Sequence, residues 1–375
     1  MERFETVIIG GGQSGLAAGY FLSKQGRSFM ILDAHERVGD AWRRRWDSLR
    51  VFTPALVDGL PGMPFPGKRF TFPTKDEVAD YMETYAKWFG LPVRTGVKVD
   101  CVAREGDRFV ITSNAGTFEA DNVIVATGAH HKPKTPPFAG ELDPRILQIH
   151  SSEYRNPAQL RDGATLVVGL GNSGAEIAYD LRAGRHVFVA GKPVGQVPVR
   201  HGSTAFFMIM PLIGLLGMHV MTVDNPIGRK VLPKLKVAPL VRVKVKDLEA
   251  AGIEQVGRVT GVRDGMPLLE DGRTLDVANI IWCTGFSTDL GWIKVPAAFG
   301  PDGALVQYRG AATAVPGLYF VGMWHQYAQS SDVLPGVGRD AAYVTDHLAA
   351  RPRLAGRLDS EDRMVRRDPA EVGVR

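Results

Sequence analysis

Cysteine is scarce in this sequence. Its 375 residues include only two, Cys101 and Cys283, and these lie far apart. The sequence therefore has no C-x-x-C pair, which excludes dithiol–disulfide chemistry. No cluster of histidine, cysteine and carboxylate residues has the spacing of a metal site, so we expect no metal ion. The first strand begins by about Phe4, which leaves no room for a signal peptide and predicts a cytoplasmic protein.

Charge is not arranged as nucleic-acid binding requires. The net charge of +5 comes from 45 lysines and arginines against 40 acids, and the basic residues are scattered through the chain. No basic stripe alternates with aromatic residues, so we expect no nucleic-acid partner and attribute the excess charge to attraction of small anionic ligands. A homodimer is our prior expectation for the assembly.

An uninterrupted run of apolar residues long enough for a membrane span is also missing. The most apolar stretch, residues 205–223, contains Pro211, Gly214, Gly217 and His219, whereas a span needs about 20 largely apolar residues. We predict a buried or lid-forming helical hairpin that walls a pocket for an apolar substrate. Peripheral membrane contact through residues 205–223 is the alternative.

Glycine, in contrast, is abundant, with 43 residues, and two segments arrange it in the same way. VIIGGGQSGLAAGYFL and LVVGLGNSGAEIAYDL each contain G-x-G-x-x-G between a strand-like and a helix-like run. The first glycine permits a tight turn, the second lets a pyrophosphate approach, and the third allows close helix–strand packing. Two copies in this context predict a protein that holds two dinucleotides.

The residue after the next strand indicates which nucleotide each unit binds. In the first unit Asp33 follows the strand SFMIL, and an acid there accepts hydrogen bonds from ribose hydroxyls, which suits FAD. In the second unit Gly191 and Lys192 follow HVFVA, and a cation there can pair with a 2′-phosphate. This pattern favours NADPH over NADH. Arg200 is a second candidate cation, and a solvated surface lysine is the alternative interpretation of Lys192.

The remaining pattern predicts an α/β fold with two Rossmann-like dinucleotide-binding domains. We expect a helix over about Lys75–Phe89 capped by Thr74, and an antiparallel meander with turns at Gly106 and Asn114–Gly116 that ends in the ATG of residues 126–128. The FAD-binding domain is expected to be discontinuous, with residues 1–160 and 275–350. The NADPH-binding domain, residues 161–274, contains an apolar helical insertion at 203–230, and residues 351–375 form a loose tail.

Taken together, these motifs resemble the class B flavoprotein monooxygenases, which include flavin-containing monooxygenases, Baeyer–Villiger monooxygenases and the plant YUCCA enzymes. The resemblance covers about residues 4–350 and includes GGGQSG, GDAW, ATG, GLGNSG, CTGF and GVGRDA. The family motif F-x-G…H-x-x-x-Y/F plus a basic residue matches Phe138, Gly140, His150, Tyr154 and Arg155. The spacer is nine residues here, where the family has three. Tyr154 is typical of N- or S-oxygenating members, since Baeyer–Villiger enzymes usually carry Trp there.

The resemblance implies a three-layer architecture like that of glutathione reductase, with FAD and NADPH as cofactors. The residues expected to hold FAD are Gly10, Gly12, Gln13, Ser14, Gly15, Asp33, Asp40, Trp42, Gly338 and Asp340. Thr127, Gly128, Thr284 and Gly285 are expected to bind a cofactor at the strand ends where the chain crosses between the domains. Those expected to hold NADPH are Gly169, Gly171, Asn172, Ser173, Gly174 and Lys192. Thr53, His150, Arg155 and His325 are the candidate catalytic residues.

Structural interpretations of several of these residues stay open. Asp340 is expected to lie at the start of the last helix, where it is either a plain N-cap or a flavin contact. His150 either orients the nicotinamide or is a hydrogen-bonded histidine at the domain junction. His325 either faces the substrate or is a buried loop histidine.

The implied activity is transfer of one oxygen atom from O2 to a small organic substrate through a C4a-(hydro)peroxyflavin, after reduction by NADPH. Two alternatives remain. Flavin-containing monooxygenases often have Thr-Asn where this sequence has Thr53-Pro54, which is compatible with an NADPH-dependent flavin reductase or oxidase. A cofactor-binding redox or transport regulator is the other. The sequence does not identify the substrate.

Overall fold

In the computed structural model of the chain, residues 1–129, 132–235 and 237–352 are described. The predicted tail therefore lies almost entirely outside the described residues. The described strands are β1 Glu2–Ile9, β2 Phe29–Leu32, β3 Val93–Arg94, β4 Val99–Glu105, β5 Arg108–Ser113, β6 Gly116–Val125, β7 Lys132–Pro133, β8 Leu147–His150, β9 Thr165–Val168, β10 Val187–Ala190, β11 Glu254–Val256, β12 Val259–Arg263, β13 Met266–Leu269, β14 Asn279–Trp282, β15 Phe286–Ser287, β16 Ile293–Lys294, β17 Gln307–Tyr308, β18 Ala311–Ala312 and β19 Leu318–Phe320. The described α-helices are α1 Gln13–Lys24, α2 Asp40–Arg43, α3 Lys75–Trp88, α4 Asn172–Asp180, α5 Thr204–Leu215, α6 Pro226–Val231, α7 Val245–Ala250 and α8 Leu334–Ala349.

The first fingerprint lies in a sheet whose central strands are parallel. β1 pairs with β2 on one side and with β6 on the other, β2 pairs with β3, and β6 pairs with β19. β6 also pairs with β5, and β5 pairs with β4. These three strands form the predicted antiparallel meander. Helices α1, α3 and α8 cover one face with a core that includes Leu16, Met82 and Val344. A second core, which includes Phe109 and Ile111, covers the other face of this sheet.

The second fingerprint lies in a separate five-stranded sheet of the order β11-β10-β9-β14-β8, in which every pairing is parallel. The strand that precedes the fingerprint, β9, is central, as β1 is in the first sheet. Its residues Thr165–Val168 are all buried, as expected for a parallel strand covered on both faces. The predicted fold, an α/β chain with two Rossmann-type units, is confirmed.

Two strands near the expected domain boundaries belong to the second sheet. β8 and β14 belong to the second sheet, although Leu147–His150 and Asn279–Trp282 fall in the ranges that we assigned to the first domain. The backbone hydrogen bonds of β14 go to both β9 and β8, and this pairing places β14 and β8 in the second sheet. We therefore propose the same two-domain division with the inserted part extended to include these two strands.

The predicted helix at residue 75 is confirmed, together with its cap. Thr74 accepts a hydrogen bond from the Glu77 amide, and the Glu77 carboxylate accepts one from the Thr74 amide, which is a complete capping box. Val78, Met82 and Tyr85 are buried at helical spacing against α1. The hydroxyl of Tyr85 donates to the Pro61 carbonyl and thereby holds the loop that precedes α3.

The apolar stretch 205–223 does not form the hairpin that we expected. α5 continues directly into a π-helical turn, Leu216–Val220, and then into an extended segment that pairs with Ala328. A hairpin needs a turn residue, but neither Gly214 nor Gly217 has a positive φ. The stretch is not buried either, since its outer side chains are exposed. Within the described residues, no helix is long and apolar enough to cross a bilayer.

Asp58 is a buried acid in the loop between α2 and α3. Its side chain has no solvent exposure, one carboxylate oxygen accepts a hydrogen bond from the Thr53 hydroxyl, and the other has no partner among the described residues. Burial raises the pKa of Asp58 from 3.8 to about 7, and the hydrogen bond from Thr53 offsets only part of that effect. Asp58 is therefore easily protonated near neutral pH.

Replacement of Asp58 by Asn should stabilise the protein at high pH. A pKa raised by folding stabilises the native state only while the group is protonated, so this contribution is lost as the pH rises from about 4 through about 7. At pH 5 we expect Asp58→Asn to be more stable than the unmodified chain by only about 1.6 kcal/mol, because pH 5 lies about 1.2 units above the unfolded-state pKa of 3.8. At pH 9 the variant should be more stable by up to about 4 kcal/mol, from about three pKa units at 1.36 kcal/mol each.

Urea unfolding monitored by circular dichroism at both pH values measures this difference. Asp107→Asn, a substitution of an exposed turn residue, is the matched control and should show no pH-dependent gain. Equal stability of Asp58→Asn and the unmodified chain at pH 9 would contradict the assignment of Asp58 as a buried, weakly paired acid.

Candidate functional site

The first glycine turn is shaped by close contacts with the neighbouring strand. Gly10 has φ +109°, and a Cβ there would lie 2.6 Å from the carbonyl oxygen of Ala126, the residue after β6. A Cβ on Gly15 would overlap the Gly10 carbonyl. A Cβ on Gly12, in contrast, would have no atom within 4 Å among the described residues. The fold explains two of these glycines, and Gly12 faces open space where a ligand can approach.

The second turn repeats this arrangement. Gly169 has φ +112° and lies against the carbonyl of Cys283, the residue after β14. A Cβ on Gly174 would overlap the Gly169 carbonyl. A Cβ on Gly171 would meet only Val237, at an ordinary 3.5 Å. The two fingerprints are thus equivalent in backbone geometry as well as in sequence.

Both turns leave the start of the following helix available to an anion. Gly12 and Gly171 are the N-caps of α1 and α4, and neither helix has a side-chain cap or an acid in its first turn within the described residues. The first amides of a helix lack intrahelical partners and carry partial positive charge. Each helix start therefore has the features of a phosphate-binding site.

The residue after each cap braces the turn through its side-chain amide. Gln13 donates to the Asp332 carbonyl at 3.0 Å and accepts a hydrogen bond from the Trp42 indole at 3.3 Å. Asn172 donates to the Pro239 carbonyl at 2.9 Å and accepts one from the Val241 amide at 3.0 Å. The following serines, Ser14 and Ser173, lie one residue further into the helices, Ser14 buried and Ser173 half-buried.

Asp33 lies beside the first turn, as the sequence predicts. One carboxylate oxygen accepts from the Gly11 amide, and the other accepts from the amide and ring Nδ1 of His35, at 2.7 and 2.9 Å. Burial opposes ionisation, but the hydrogen bonds from His35 and Gly11 outweigh it and lower the pKa of Asp33. The residue is therefore an anion at neutral pH.

Gly11 is a site residue that the fingerprint pattern does not include. A Cβ at this position would lie 2.8 Å from a carboxylate oxygen of Asp33, so the acid in this position requires glycine at position 11. In the second unit the corresponding residue is Leu170, which is buried, and it packs near Gly191, where a Cβ would be 3.4 Å from the Leu170 amide. The difference between the two units is the signal for this pairing. The unit that has the acid has glycine at this position, and the unit that lacks the acid has leucine.

Lys192 lies exposed just beyond Gly191 at the end of β10. Neither it nor the exposed Arg200 forms a hydrogen bond or an ion pair through its side chain in the described part of the chain. A cation in this position can meet a 2′-phosphate without first giving up an internal partner.

His150 lies at the junction of the two sheets. It is buried, with ring Nδ1 at 2.9 Å from the Ser152 hydroxyl and Nε2 at 3.1 Å from the Gly285 carbonyl. Burial lowers the pKa of His150, which favours the neutral ring. Since both ring nitrogens have protein partners, this geometry agrees with the interpretation of His150 as a junction residue.

Next to His150 lie two arginines, of which sequence analysis named only Arg155. Arg155 donates to the carbonyls of Ser152 and Tyr154 at 2.8 and 3.0 Å. Arg45, on the GDAW loop, stacks over the Phe286 ring at 5.9 Å. Burial and the nearby charge of Arg155 lower the pKa of Arg45. Neither arginine pairs with a carboxylate among the described residues, so the junction carries positive charge.

His325 combines two unusual features. Its backbone has φ +52°, which is uncommon for a residue with a side chain, and its Nε2 is buried without a hydrogen-bond partner in the described chain. Burial lowers the pKa of His325, so the ring is neutral near pH 7. A strained backbone and an unpartnered buried nitrogen are typical of functional positions.

Thr127 and Gly128 follow β6, and Thr284 and Gly285 follow β14, which are interior strands of the two sheets. Gly128 and Gly285 have φ +75° and +82°, a backbone conformation that favours glycine. The Thr284 hydroxyl donates to the Lys134 carbonyl, whereas the buried Thr127 hydroxyl has no partner among the described residues. Asp40 begins α2 and pairs with Arg43 at 3.3 Å.

The expectation for the last helix was wrong. α8 begins at Leu334, with Pro335 in its first turn, so Gly338 and Asp340 lie in the second turn and not at the N-terminus. Asp340 is fully buried and pairs with the guanidinium of Arg339 at 2.7 Å, so it is not an N-cap. A Cβ on Gly338 would lie 2.8 Å from Pro61, which explains the glycine by packing.

Comparison with known proteins agrees with this geometry. A family model described as pyridine nucleotide-disulphide oxidoreductase matches residues 7–196. An uncharacterized CzcO-like oxidoreductase of Geobacillus kaustophilus is 37% identical, covering 92% of this chain and 98% of the relative. The indole-3-pyruvate monooxygenase YUCCA1 of Oryza sativa is 30% identical, covering 89% and 91%.

The solved structure of a flavin-containing monooxygenase from Stenotrophomonas maltophilia is similar with a TM-score of 0.74 and 29% identity, covering 93% of this chain and 99% of that one. Fold, fingerprints and relatives agree across nearly the whole described chain. The chain therefore belongs to the pyridine nucleotide-disulphide oxidoreductase family and, within it, to the class B flavoprotein monooxygenases.

Proposed function

We propose that this chain is an FAD-dependent, NADPH-consuming monooxygenase that transfers one oxygen atom from O2 to a small organic substrate. One observation carries the proposal: two equivalent glycine turns precede uncapped helix starts, and only the first has an acid at the ribose position. This asymmetry supports two different dinucleotides in one chain. The relatives support the reaction type, since their names are those of oxidoreductases and monooxygenases.

The residues of the first unit fit the ADP part of FAD. The open space at Gly12 and the uncapped start of α1 can accept the pyrophosphate, and the anionic Asp33 can accept hydrogen bonds from ribose hydroxyls. Both carboxylate oxygens of Asp33 already accept hydrogen bonds from Gly11 or His35. A ribose hydroxyl would therefore donate to an oxygen that also accepts one of these bonds. Trp42, Thr53 and the unpartnered Thr127 hydroxyl would lie toward the flavin.

The second unit fits NADPH in the same manner. The open side of Gly171 and the start of α4 can accept the pyrophosphate, with Asn172 and Ser173 beside it. Lys192 would pair with the 2′-phosphate. Arg155 and Arg45 would contribute positive charge at the junction.

FAD, when bound, supplies the electron-transfer and oxygen chemistry, while the protein positions and shields it. His150 would hold the two strand ends together through Gly285. The neutral His325 would offer its free Nε2 to a polar atom of the substrate.

The proposed reaction is tested by the fate of O2. The purified protein should be yellow and should oxidise NADPH in air, and hydrogen peroxide should be the product in the absence of substrate. A correct substrate should lower the peroxide yield per NADPH while an oxygenated product appears in matching amount. Sulfides, amines and an aromatic 2-oxo acid, suggested by the name of the YUCCA1 relative, are the first compounds to test. Peroxide equal to NADPH for every compound would instead support the reductase or oxidase alternative.

Alanine at the second glycine of each fingerprint should separate the two cofactors. Gly12→Ala should lower the bound flavin at least about tenfold, because the methyl group fills the space that the pyrophosphate needs, and leave NADPH binding intact. Gly171→Ala should weaken NADPH binding by a similar factor and leave the flavin bound. Flavin absorbance per protein and NADPH titration measure the two effects.

Both variants should keep the thermal stability of the unmodified apoprotein, since neither methyl group meets a close protein atom. Gly10→Ala is the contrasting control and should lower that stability, because of the Ala126 carbonyl and the positive φ. Loss of both cofactors in either single variant would argue against separate sites.

Lys192→Ala should reduce the preference for NADPH. Loss of the cation should raise the KM for NADPH by about tenfold, as expected for one charge-assisted contact with phosphate, and leave the KM for NADH unchanged. Steady-state rates with the two nucleotides measure the ratio. Lys24→Ala, at the exposed end of α1, should change neither constant. Equal effects on both nucleotides would show that Lys192 does not contact the 2′-phosphate.

A further inference from the structure

Helix α5 exposes a continuous apolar face. Met208, Leu212, Leu215 and Leu216 are 77%, 55%, 53% and 43% exposed, and their spacing places them on one side of the helix. Phe206, on the opposite side, is fully buried. A helix that buries only one side normally presents polar residues to water on the other. This helix presents large apolar side chains instead.

The apolar face extends beyond the helix onto the loop before α3. The ring of Phe70, which is 61% exposed, contacts Phe207 of α5 edge-on at 5.1 Å. The amide of Leu56, which is also exposed, donates to the Arg69 carbonyl in the same loop. We call these residues the docking face: Leu56, Phe70, Met208, Leu212, Leu215 and Leu216. A surface built from two segments far apart in the sequence belongs to the fold and is not a frayed end.

The end of the segment that follows α5 is anchored. The Val223 amide donates to the Tyr327 carbonyl at 2.8 Å, and the Gln329 amide donates to the Met221 carbonyl at 3.1 Å. The guanidinium of Arg339 also donates to the Met218 carbonyl at 3.2 Å. The docking face is therefore held in place from both sides, by Phe72 at one end and by this pairing at the other.

Positive charge lies next to the docking face along the chain. Residues 200–246 contain eight lysines and arginines and a single acid, a net charge of +7 against +5 for the whole chain. Exposed Arg229, Lys230 and Lys234 follow α5, and exposed Lys68 and Arg69 immediately precede Phe70. None of these five forms an ion pair in the described ranges. Apolar side chains bordered by unpaired cations are typical of surfaces that bind anionic lipid.

We propose that the docking face binds this protein to the surface of an anionic lipid bilayer, with the apolar side chains in the headgroup–acyl boundary and the flanking cations on lipid phosphates. The helix lies on the membrane and does not span it, in agreement with its twelve residues and with Pro211. A second copy of the chain is a poorer occupant. Symmetric pairing through this face would bring two segments of net charge +7 together.

Vesicle flotation with the full-length protein tests the proposal. The protein should float with vesicles that contain about one third phosphatidylglycerol in phosphatidylcholine, and should not float with pure phosphatidylcholine. Raising the salt concentration should reduce flotation, because the lipid charges are screened. The double variant Met208→Ser, Leu212→Ser should reduce the bound fraction at least about tenfold, and so should Lys230→Glu.

Matched controls come from elsewhere on the surface. Trp88→Ser removes a side chain that is 73% exposed on α3, and Lys294→Glu reverses an exposed charge on β16. Both should float like the unmodified protein. Each variant should keep its thermal unfolding midpoint, since the substituted side chains are exposed. Light scattering after size exclusion gives the oligomeric state of each.

Two outcomes would overturn the proposal. One is a protein that floats with no vesicle, or equally with charged and neutral vesicles. The other is a dimer that the Met208→Ser, Leu212→Ser substitutions convert to a monomer without any change in flotation, which would assign the docking face to a second copy of the chain. Neither outcome depends on the proposed reaction, because flotation requires no turnover.

Discussion

The contact between the first glycine of each fingerprint and the end of the adjacent strand determines the layout of both units. Gly10 passes the carbonyl of Ala126, and Gly169 passes that of Cys283, with φ values of +109° and +112°. A side chain at either position would push the turn away from the sheet. Because the turn stays close, the helix that follows begins directly over the carboxyl ends of the strands, where ligands of open α/β sheets bind.

The two units are also joined through the residues near these strand ends. Trp46, from the loop after α2, is buried in the core of the second sheet together with Tyr154, whose hydroxyl donates to Asp180 of α4 at 2.8 Å. The GDAW loop of the first unit thus packs against the second unit. A rigid connection of this kind suits an enzyme that must bring two cofactors together, since small errors in distance are costly in catalysis.

The sequence predicted the repeated elements of the fold and missed what depends on contacts across the chain. The glycine turns, the capping box at Thr74 and the antiparallel meander follow from local patterns, and the structure confirms them. The start of α8 was misplaced because the G-x-G-R-D pattern resembled a helix opening, while Pro335 in fact marks the first turn. Asp58 could not be recognised, because its burial results from packing of the loop against Tyr81. Arg45 was missed for the same reason, since its neighbours Phe286 and Arg155 are distant in sequence.

The difference between the two units is the strongest argument for two different ligands. Packing alone does not require glycine at position 11 and leucine at position 170, since both follow the same kind of strand and precede the same kind of helix. The acid at Asp33 requires the glycine, because a Cβ would lie 2.8 Å from its carboxylate. In the second unit Gly191 stands where the first unit has Asp33, and the residue equivalent to Gly11 is the buried Leu170. A protein that bound the same nucleotide twice would have no reason to keep this difference. The asymmetry is therefore better explained by what each unit binds than by how each unit folds.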